Sequence, residues 1–327
     1  MRLPRFGMGC SPLGNLYRAM SDDAAIATVD AAISRGIGYF DVAPHYGFGL
    51  AERRLGMALA KRGGVAPLVS TKVGRTLVPS SIKGTRHGFV DADPYEPTFD
   101  YGEDAVLASH EASLERLRRA RVNLLLAHDL GTLTHGDAAE AHLTDFLGGG
   151  YPAMRRLKDA GRIDAIGVGV NEVEICDRLL DEVQLDVILL AGRYTLLEQG
   201  ALSLLDRCAR DGVQVIIGGP YNSGLLVETP GRGPLHYNYS EAPAALVARA
   251  RALGEACAAY GTPLPATALH FPLAHPAVSS VIAGLASPGQ VDAMAGWAQT
   301  EIADGLWRSL RVAGLIAAGA PTPDQPG

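Results

Sequence analysis

Short apolar runs that alternate with longer segments of helical period constrain the fold of this chain most strongly. Eight such strand-like runs lie near residues 5–9, 37–41, 68–72, 122–128, 163–169, 187–191, 213–218 and 279–283. Strands that alternate with helices form parallel sheets with right-handed crossovers. A count of eight favours closure into a (β/α)8 TIM barrel over an open doubly wound sheet. We therefore expect one barrel domain over residues 1–320, followed by a frayed tail at 321–327.

The segments between the runs carry helix signals. In SDDAAIATVDAAISRG, Ser21 can cap the helix, acidic residues occupy the first turn and Gly36 can end it. Two segments exceed the minimal repeat: GRTLVPSSIKGTRHGFVDADPYEPTFDYG after the third run and VETPGRGPLHYNYSEAP after the seventh. Both follow the carboxyl end of a strand, where barrels build their sites, so we predict substrate and cofactor loops. Plain surface insertions are the alternative.

Charge and motif content indicate a small-molecule partner. The formal net charge is -6, which disfavours nucleic acid or an anionic membrane as the main partner. The four cysteines have no CxxC spacing, and neither an export signal nor a membrane-length apolar stretch is recognisable, so we expect a cytoplasmic protein. No HExxH or Walker motif occurs, and we predict no metal. Gly7, Gly9 and Gly14 have the wrong spacing for GxGxxG.

Four polar residues are predicted to meet at one end of the barrel. Asp41, Lys72 and His128 close the second, third and fourth strands, and Tyr46 lies on the loop after the second. A cationic Lys72 favours the charged form of a nearby phenol, so the set forms a plausible proton-transfer device. Taken singly, each has a simpler interpretation: a helix cap for Asp41, a surface lysine for Lys72, and a hydrogen-bonded strand-end histidine for His128.

The motifs around these residues resemble those of the aldo-keto reductase superfamily. They are GIGYFDVAPHYGFGLAERRLG, LVSTKVGR and VNLLLAHDL. The resemblance implies a (β/α)8 barrel that uses a nicotinamide cofactor, with Tyr46, Lys72, Asp41 and His128 as the catalytic tetrad. It also implies that Glu52 and Gly56 belong to a signature helix, where we interpret them as structural.

The same resemblance assigns a cofactor site. It implies that Asn171 contacts the carboxamide, that the pyrophosphate lies on Ser223, Gly224 and Leu225, and that the adenosine end lies on Gly284, Ser287 and Gln290. Ordinary turn chemistry is the alternative for these Gly-Pro-Ser stretches. The basic residue that NADP-selective members place near the 2′-phosphate is missing from AGLASPGQVDAM. This favours NAD and leaves NADP open.

Within the superfamily, the chain most resembles the D-threo-aldose 1-dehydrogenase and L-fucose dehydrogenase group, with pyridoxal 4-dehydrogenase and L-galactose dehydrogenase nearby. This implies oxidation of an aldose of the L-fucose, L-galactose or D-arabinose type at C1 to the aldonolactone, with Tyr46 as general acid/base. The alternatives are a dehydrogenase or reductase of a non-sugar compound such as pyridoxal, and a non-catalytic barrel that senses cofactor. Loop residues that could line the substrate pocket are Tyr17, His45, Phe48, Arg75, Arg193 and Tyr237.

Overall fold

The computed structural model of the chain describes residues 1–60, 66–227, 236–237 and 240–325, with backbone only for 236–237 and 240–241. The barrel strands are β1 (Phe6–Gly9), β2 (Tyr39–Asp41), β3 (Leu68–Val73), β6 (Leu124–His128), β7 (Ala165–Val170), β8 (Val187–Ala191), β9 (Gln214–Gly218) and β12 (Val278–Gly284). They close in the order β1-β12-β9-β8-β7-β6-β3-β2, and every neighbouring pair is parallel. The predicted (β/α)8 barrel is confirmed, with each strand on one of the eight apolar runs.

The helices of the described residues surround this barrel. They are α1 (Asp22–Ser34), α2 (Leu50–Ala60), α3 (Glu103–Leu117), α4 (Thr132–His135), α5 (Ala139–Asp145), α6 (Tyr151–Asp159), α7 (Glu174–Glu182), α8 (Leu202–Asp211), α9 (Ala244–Ala259), α10 (Leu264–His270), α11 (Pro288–Ala298) and α12 (Leu306–Val312). The predicted helix signals act locally: Ser21 caps α1 by accepting from the Ala24 N–H at 3.2 Å. Gly36, just beyond the helix, has a φ of 83°.

The long segment after β3 is folded across the mouth of the barrel. It forms an antiparallel hairpin of β4 (Arg75–Pro79) and β5 (Tyr95–Phe99). Between these strands the chain returns to the barrel loops, where the Tyr17 N–H donates to the Gly88 carbonyl at 2.8 Å and the Val90 N–H donates to the Asn15 carbonyl at 3.0 Å. The segment is therefore fixed as a wall beside the carboxyl ends of the strands. The backbone described in the segment after β9 pairs β10 (His236–Tyr237) with β11 (Ser240–Glu241).

Residues 321–325 fold back against α12, although a frayed tail was expected from residue 321. Thr322 is fully buried, and its hydroxyl accepts from Arg311 Nη2 at 2.6 Å. Thr322 and Gln325 also form an isolated backbone bridge. A polar tail can order in this way when a guanidinium satisfies its oxygens. Residues 326–327 lie outside the described part of the chain.

Candidate active site

Every second side chain of a barrel strand faces the barrel interior, and this alternation places the predicted catalytic residues at the mouth of the barrel. In β6, Leu124 and Leu126 belong to the buried cluster inside the barrel, and His128 is the next position of the same row. Because side chains alternate between the two faces of a strand, this row ends with the imidazole at the carboxyl edge. Asp41 ends β2 in the same way, and Lys72 lies one residue before the end of β3.

Lys72 connects the residues that the sequence predicted to meet. Its ammonium donates to Asp41 Oδ2 at 2.8 Å, to the Val42 carbonyl at 3.0 Å and to Tyr46 Oη at 3.0 Å. The side chain is 1% exposed. Burial opposes its charge, but the Asp41 carboxylate, followed by the Tyr46 phenol, outweighs burial and raises the pKa of Lys72 above its usual range. A permanent cation therefore lies beside the Tyr46 hydroxyl.

A glycine on the neighbouring strand makes room for the lysine. Gly169 lies in β7, and a Cβ added there would come within 3.0 Å of Lys72 Cε and 3.3 Å of its Cδ. Any larger residue would press on the lysine stem. The close approach of β7 therefore depends on the absence of a side chain at this position.

A hydrogen-bonded chain beneath the mouth holds the Asp41 carboxylate. Ser70 Oγ donates to Asp41 Oδ1 at 2.7 Å, and Tyr39 Oη lies 2.8 Å from Ser70 Oγ. Burial, followed by the Asp41 charge, raises the pKa of Tyr39, so this phenol stays a donor. With Lys72 on Oδ2, both carboxylate oxygens are bonded. Ser70 and Tyr39 were not predicted as site residues, although each lies two residues before a predicted catalytic residue on the same inward row.

The fourth predicted catalytic residue lies edge-on to the phenol. The ring centroids of His128 and Tyr46 are 5.9 Å apart at an interplanar angle of 86°. Burial, followed by the positive charges of Arg75 and Lys72, lowers the pKa of His128 well below its usual range. Its Nδ1 is buried with no hydrogen-bond partner among the described residues, and its Nε2 is 3.4 Å from Asp129 Oδ2. The imidazole is therefore neutral and has hydrogen-bonding capacity to spare.

The predicted signature helix supports the site from behind. The Glu52 carboxylate of α2 is fully buried, where it accepts from Thr71 Oγ1 at 2.6 Å and from Arg116 Nε at 2.6 Å. Thr71 precedes Lys72 in β3, so this acid connects α2 and α3 to the strand that carries Lys72. Gly56 lies where α2 meets α3, and a Cβ there would be 2.6 Å from the Arg116 carbonyl oxygen. These contacts agree with the interpretation of Glu52 and Gly56 as structural residues.

Aromatic rings form one wall beside Tyr46 and His128. The His45 ring lies 6.0 Å from that of His128 and 5.4 Å from that of Phe89, which comes from the folded-over segment. Phe48 has a φ of 56° and is fully buried, 6.0 Å from the His45 ring. It therefore supports the wall from behind. A direct contact between Phe48 and a substrate, as the sequence analysis expected, would require the ring to emerge.

The other predicted wall residues differ in their placement. Arg75 is buried and pairs with Asp129 through Nη2 and Oδ2 at 2.5 Å. Arg193 donates from Nε to the Asn171 carbonyl at 2.7 Å, so it supports a predicted cofactor residue. Tyr17 is 55% exposed at the rim. The Tyr237 side chain lies outside the described part of the chain.

Asn171 follows β7 at the carboxyl edge. Its Oδ1 is buried and has no hydrogen-bond partner among the described residues. A buried amide oxygen without a partner is costly, and a bound amide N–H would satisfy it. The position therefore fits the predicted contact with a carboxamide.

The predicted pyrophosphate residues form a tight turn after β9. The Gly224 N–H donates to the Tyr221 carbonyl at 3.0 Å, and the Leu225 N–H donates to the Asn222 carbonyl at 3.2 Å. Ser223 is exposed with a φ of 57°, and Leu225 is buried. The N–H groups of Gly224 and Leu225 are thus already used within the turn. Contact with a pyrophosphate through these groups would require the turn to open.

The predicted adenosine residues lie at the start of α11. The Ser287 hydroxyl accepts from the Gln290 N–H at 3.3 Å, and Gln290 Oε1 accepts from the Ala286 N–H at 2.6 Å. This reciprocal arrangement caps the helix and accounts for both side chains on structural grounds. Gly284 is exposed at the end of β12. Ser287 and Gln290 are thus in contact at the start of α11, which follows the carboxyl end of β12.

Metal ligands and disulfides take no part in the described site. Within the described ranges, no three or more His, Cys, Asp or Glu side chains come together as a metal centre requires. The four cysteines, Cys10, Cys176, Cys208 and Cys257, are buried and unpaired. No helix in the part of the chain that the structure describes has both the length and the apolar character needed to cross a membrane.

The chain is similar to known proteins over most of its length. Residues 5–311 match the model of the Aldo/keto reductase family. The chain is 39% identical to a pyridoxal 4-dehydrogenase from Microbacterium luteolum, over 95% of this chain and 94% of the relative. It is 37% identical to a D-threo-aldose 1-dehydrogenase from a Pseudomonas species, over 99% of this chain and 96% of the relative.

Solved structures support the fold. An aldo-keto reductase from Bacillus halodurans, in its holo form, superposes with a TM-score of 0.74 at 23% identity and covers 98% of this chain and 94% of that one. A glycerol dehydrogenase from Gluconobacter oxydans also gives a TM-score of 0.74, at 22% identity, with coverage of 99% and 95%. At these sequence identities, the likeness shows a shared fold and nothing more.

Proposed function

This chain belongs to the aldo/keto reductase family, and from that premise we propose that it oxidises an aldose of the L-fucose, L-galactose or D-arabinose type at C1 to the aldonolactone. The observation that carries the proposal is the Lys72 ammonium, which bridges the Asp41 carboxylate at 2.8 Å and the Tyr46 hydroxyl at 3.0 Å. A cation in that position favours the phenolate, the form that can accept a proton from a sugar hydroxyl.

In the proposed reaction Tyr46 removes the proton of the anomeric hydroxyl. Lys72 stabilises the negative charge on the phenol oxygen before the transfer, and Asp41 keeps the ammonium in place. His128 is neutral, so it can hydrogen-bond the same substrate oxygen without repelling the lysine. Bound NAD(P) supplies the hydride acceptor for the hydrogen on C1.

The carboxamide end of the predicted cofactor site fits a nicotinamide. The unpaired Asn171 Oδ1 can accept from the carboxamide, and Arg193 holds the Asn171 backbone. Aldo/keto reductases use NAD(P), and we favour NAD here. No Lys or Arg occurs between Gly284 and Met294, and Asp292 in this stretch binds Arg35 Nε at 2.7 Å. A 2′-phosphate bound at this stretch would face the Asp292 carboxylate, and Arg35 is already paired with that carboxylate.

The relatives support a cyclic substrate. One is named a D-threo-aldose 1-dehydrogenase and the other a pyridoxal 4-dehydrogenase. Aldoses and pyridoxal both carry a hydroxyl that can close on the aldehyde as a cyclic hemiacetal, and oxidation of such a ring gives a lactone. The 39% identity to the second relative makes pyridoxal the second candidate substrate.

A substrate panel tests the proposal. Purified protein is mixed with L-fucose, L-galactose, D-arabinose and pyridoxal, with NAD and NADP in separate assays, and the absorbance of reduced cofactor is followed. We expect turnover of at least one aldose, with a higher kcat/KM for NAD than for NADP. Turnover of pyridoxal with no aldose oxidised at millimolar concentration would transfer the assignment to the second candidate. Cofactor binding without turnover of any compound would indicate the non-catalytic, cofactor-sensing barrel.

A further inference from the structure

An ion pair lies beside the proposed catalytic groups and takes no part in the proton transfer described above. Arg75 Nη2 and Asp129 Oδ2 are 2.5 Å apart, and their side chains are only 9% and 17% exposed. Buried ion pairs are costly to desolvate and are weak evidence for stability. Their position against the catalytic histidine calls for another role.

The fold holds Arg75 in place from two sides. Arg75 is the first residue of β4 and pairs in register with Phe99 of β5. Its guanidinium carbon lies 5.1 Å from the centroid of the Phe99 ring. Its Nε is buried and has no hydrogen-bond partner in the described part of the chain. The Nε–H of Arg75 is thus a fixed donor that has no acceptor among the described residues.

Asp129 is held in an unusual backbone conformation. Its φ is 50°, in the left-handed region that strains a residue with a side chain and persists only when the surroundings enforce it. The Asp129 N–H donates to the Gly169 carbonyl at 3.0 Å. The Tyr101 hydroxyl donates to the His128 carbonyl at 2.6 Å and lies 3.3 Å from that of Asp129. These bonds turn the carboxylate toward His128.

The resulting geometry brings the pair within reach of a substrate. Asp129 Oδ2 is 3.4 Å from His128 Nε2. A substrate oxygen held by this imidazole would lie about 3 Å from the same nitrogen. A hydroxyl on the next carbon lies within hydrogen-bond distance of that oxygen, so it can reach the Arg75–Asp129 pair when that carbon points toward Asp129.

We propose that the Arg75–Asp129 pair is a hydroxyl clamp, which binds the hydroxyl on the carbon next to the reacting carbon. This rests on the proposed oxidoreductase site and defines its substrate class. A hydroxyl both donates and accepts, so it can donate to the carboxylate and accept from the guanidinium at once. A methyl group in the same place would desolvate both charges and return no hydrogen bond.

The clamp selects aldoses and other 2-hydroxy aldehydes. Hydrogen bonds to charged groups correspond to discrimination on the order of 10- to 100-fold. In pyridoxal the aldehyde carbon is bonded to a ring carbon that carries no hydroxyl, so that compound would not engage the clamp. Of the two candidate substrates, the clamp favours the sugar.

The test compares two aldehydes that differ in one group. Glycolaldehyde and propionaldehyde are isosteric except that a hydroxyl replaces a methyl. Reduction of each is followed with saturating reduced cofactor, and kcat/KM is corrected for the free carbonyl fraction. The proteins are the wild type, Arg75→Met, Asp129→Leu and Asp129→Asn. The control is Lys158→Met, which removes the cation of an ion pair at the opposite end of the barrel, where Lys158 lies 2.6 Å from Asp186.

We expect the wild type and Lys158→Met to prefer glycolaldehyde over propionaldehyde by at least about 10-fold in kcat/KM. Arg75→Met and Asp129→Leu should bring this ratio close to one, because they lose glycolaldehyde reduction. A mere disturbance of His128 would slow both aldehydes equally and leave the ratio unchanged. If Asp129→Leu does not fold, as judged by circular dichroism and cofactor binding, the isosteric Asp129→Asn decides, with an expected loss of preference of at least about fivefold.

Three results would overturn the clamp: a wild-type ratio near one, an unchanged ratio in folded Arg75 and Asp129 variants, or no turnover of either aldehyde. Aldose oxidation has no part in this assay, so the two proposals fail separately. A protein that oxidises no aldose but shows an Asp129-dependent preference for glycolaldehyde keeps the clamp. One that oxidises aldoses without that preference loses only the clamp.

Discussion

His45 is the residue in which the electrostatics of the barrel mouth are most evident. Burial, followed by the positive charges of Arg75, His87 and Lys72, disfavours the charged form of this imidazole. Burial and the charge of Arg75 lower the pKa of His45 from 6.5 to about 2. The neutral form is therefore built into the folded state, as it is for His128.

This shift makes stability depend on pH. Unfolding restores the ordinary pKa of 6.5, so between about pH 6 and pH 2 the unfolded chain binds a proton at His45 that the folded chain does not. The contribution of His45 to stability is fully present above the unfolded pKa of 6.5 and is lost as the pH falls below it. We expect His45→Phe to reduce the slope of unfolding free energy against pH, measured by urea unfolding from pH 5.5 to 4.5, by about 1.4 kcal/mol per pH unit.

The matched control is Phe89→Leu. It removes a ring from the same contact but no titratable group, since the Phe89 and His45 centroids are 5.4 Å apart. It should lower stability equally at each pH and leave the slope unchanged. An unaltered slope in His45→Phe would show that His45 is protonated in the folded state.

Some residues of the site were predictable and others were not. Asp41, Lys72 and His128 follow from alternation along strands that the sequence marks clearly, and Tyr46 lies a few residues beyond one of them. Asp129 was missed because its role depends on a left-handed backbone turn and on a partner 54 residues away. No local pattern carries such a contact.

Among the elements, helix α2 most directly supports the site. Its Glu52 binds Thr71 of β3, and its Gly56 lets the backbone of α3 approach closely. A Cβ on Gly56 would lie 2.6 Å from the Arg116 carbonyl oxygen and 2.7 Å from that of Leu117. Because backbone atoms cannot swing aside, the two helices would have to separate.

We expect Gly56→Ala to lower the free energy of unfolding by about 1–3 kcal/mol, the usual cost of overpacking, despite the better helix propensity of alanine. Urea unfolding measures the change. The matched control is Gly296→Ala in α11, where an added Cβ meets no atom within 4 Å. That variant should be stabilised by up to about 1 kcal/mol. Equal effects in the two variants would contradict the close contact of α2 with α3.

The sequence predicted barrel elements better than the elements that cover them. All eight strands match apolar runs, because strands buried on both faces read as continuous aliphatic segments. The hairpin of β4 and β5 was predicted only as a loop. Its residues alternate weakly and include Pro79 and Pro97, so their pairing depends on contacts with the mouth that local patterns do not contain.

At the scale of the whole molecule, the barrel gathers distant residues at one edge. Every barrel strand runs in the same direction, so the carboxyl ends carry Asp41, Lys72, His128 and Asn171 to a single mouth. The folded-over segment after β3 then adds Arg75 and the Phe89 ring of the aromatic wall. Family and architecture agree on an oxidoreductase. We propose that the groups added around the mouth decide the choice of substrate.

We propose above that the Tyr46 phenol, with Lys72 beside its hydroxyl, carries the proton. The most direct measurement is kcat for aldose oxidation by Tyr46→Phe beside the wild type, with cofactor affinity determined on the same samples by fluorescence titration. We predict that kcat falls by a factor on the order of 10² to 10⁴ while cofactor affinity is retained, since the ring stays and only the hydroxyl is lost. An unchanged kcat in a variant that binds cofactor normally would contradict the account.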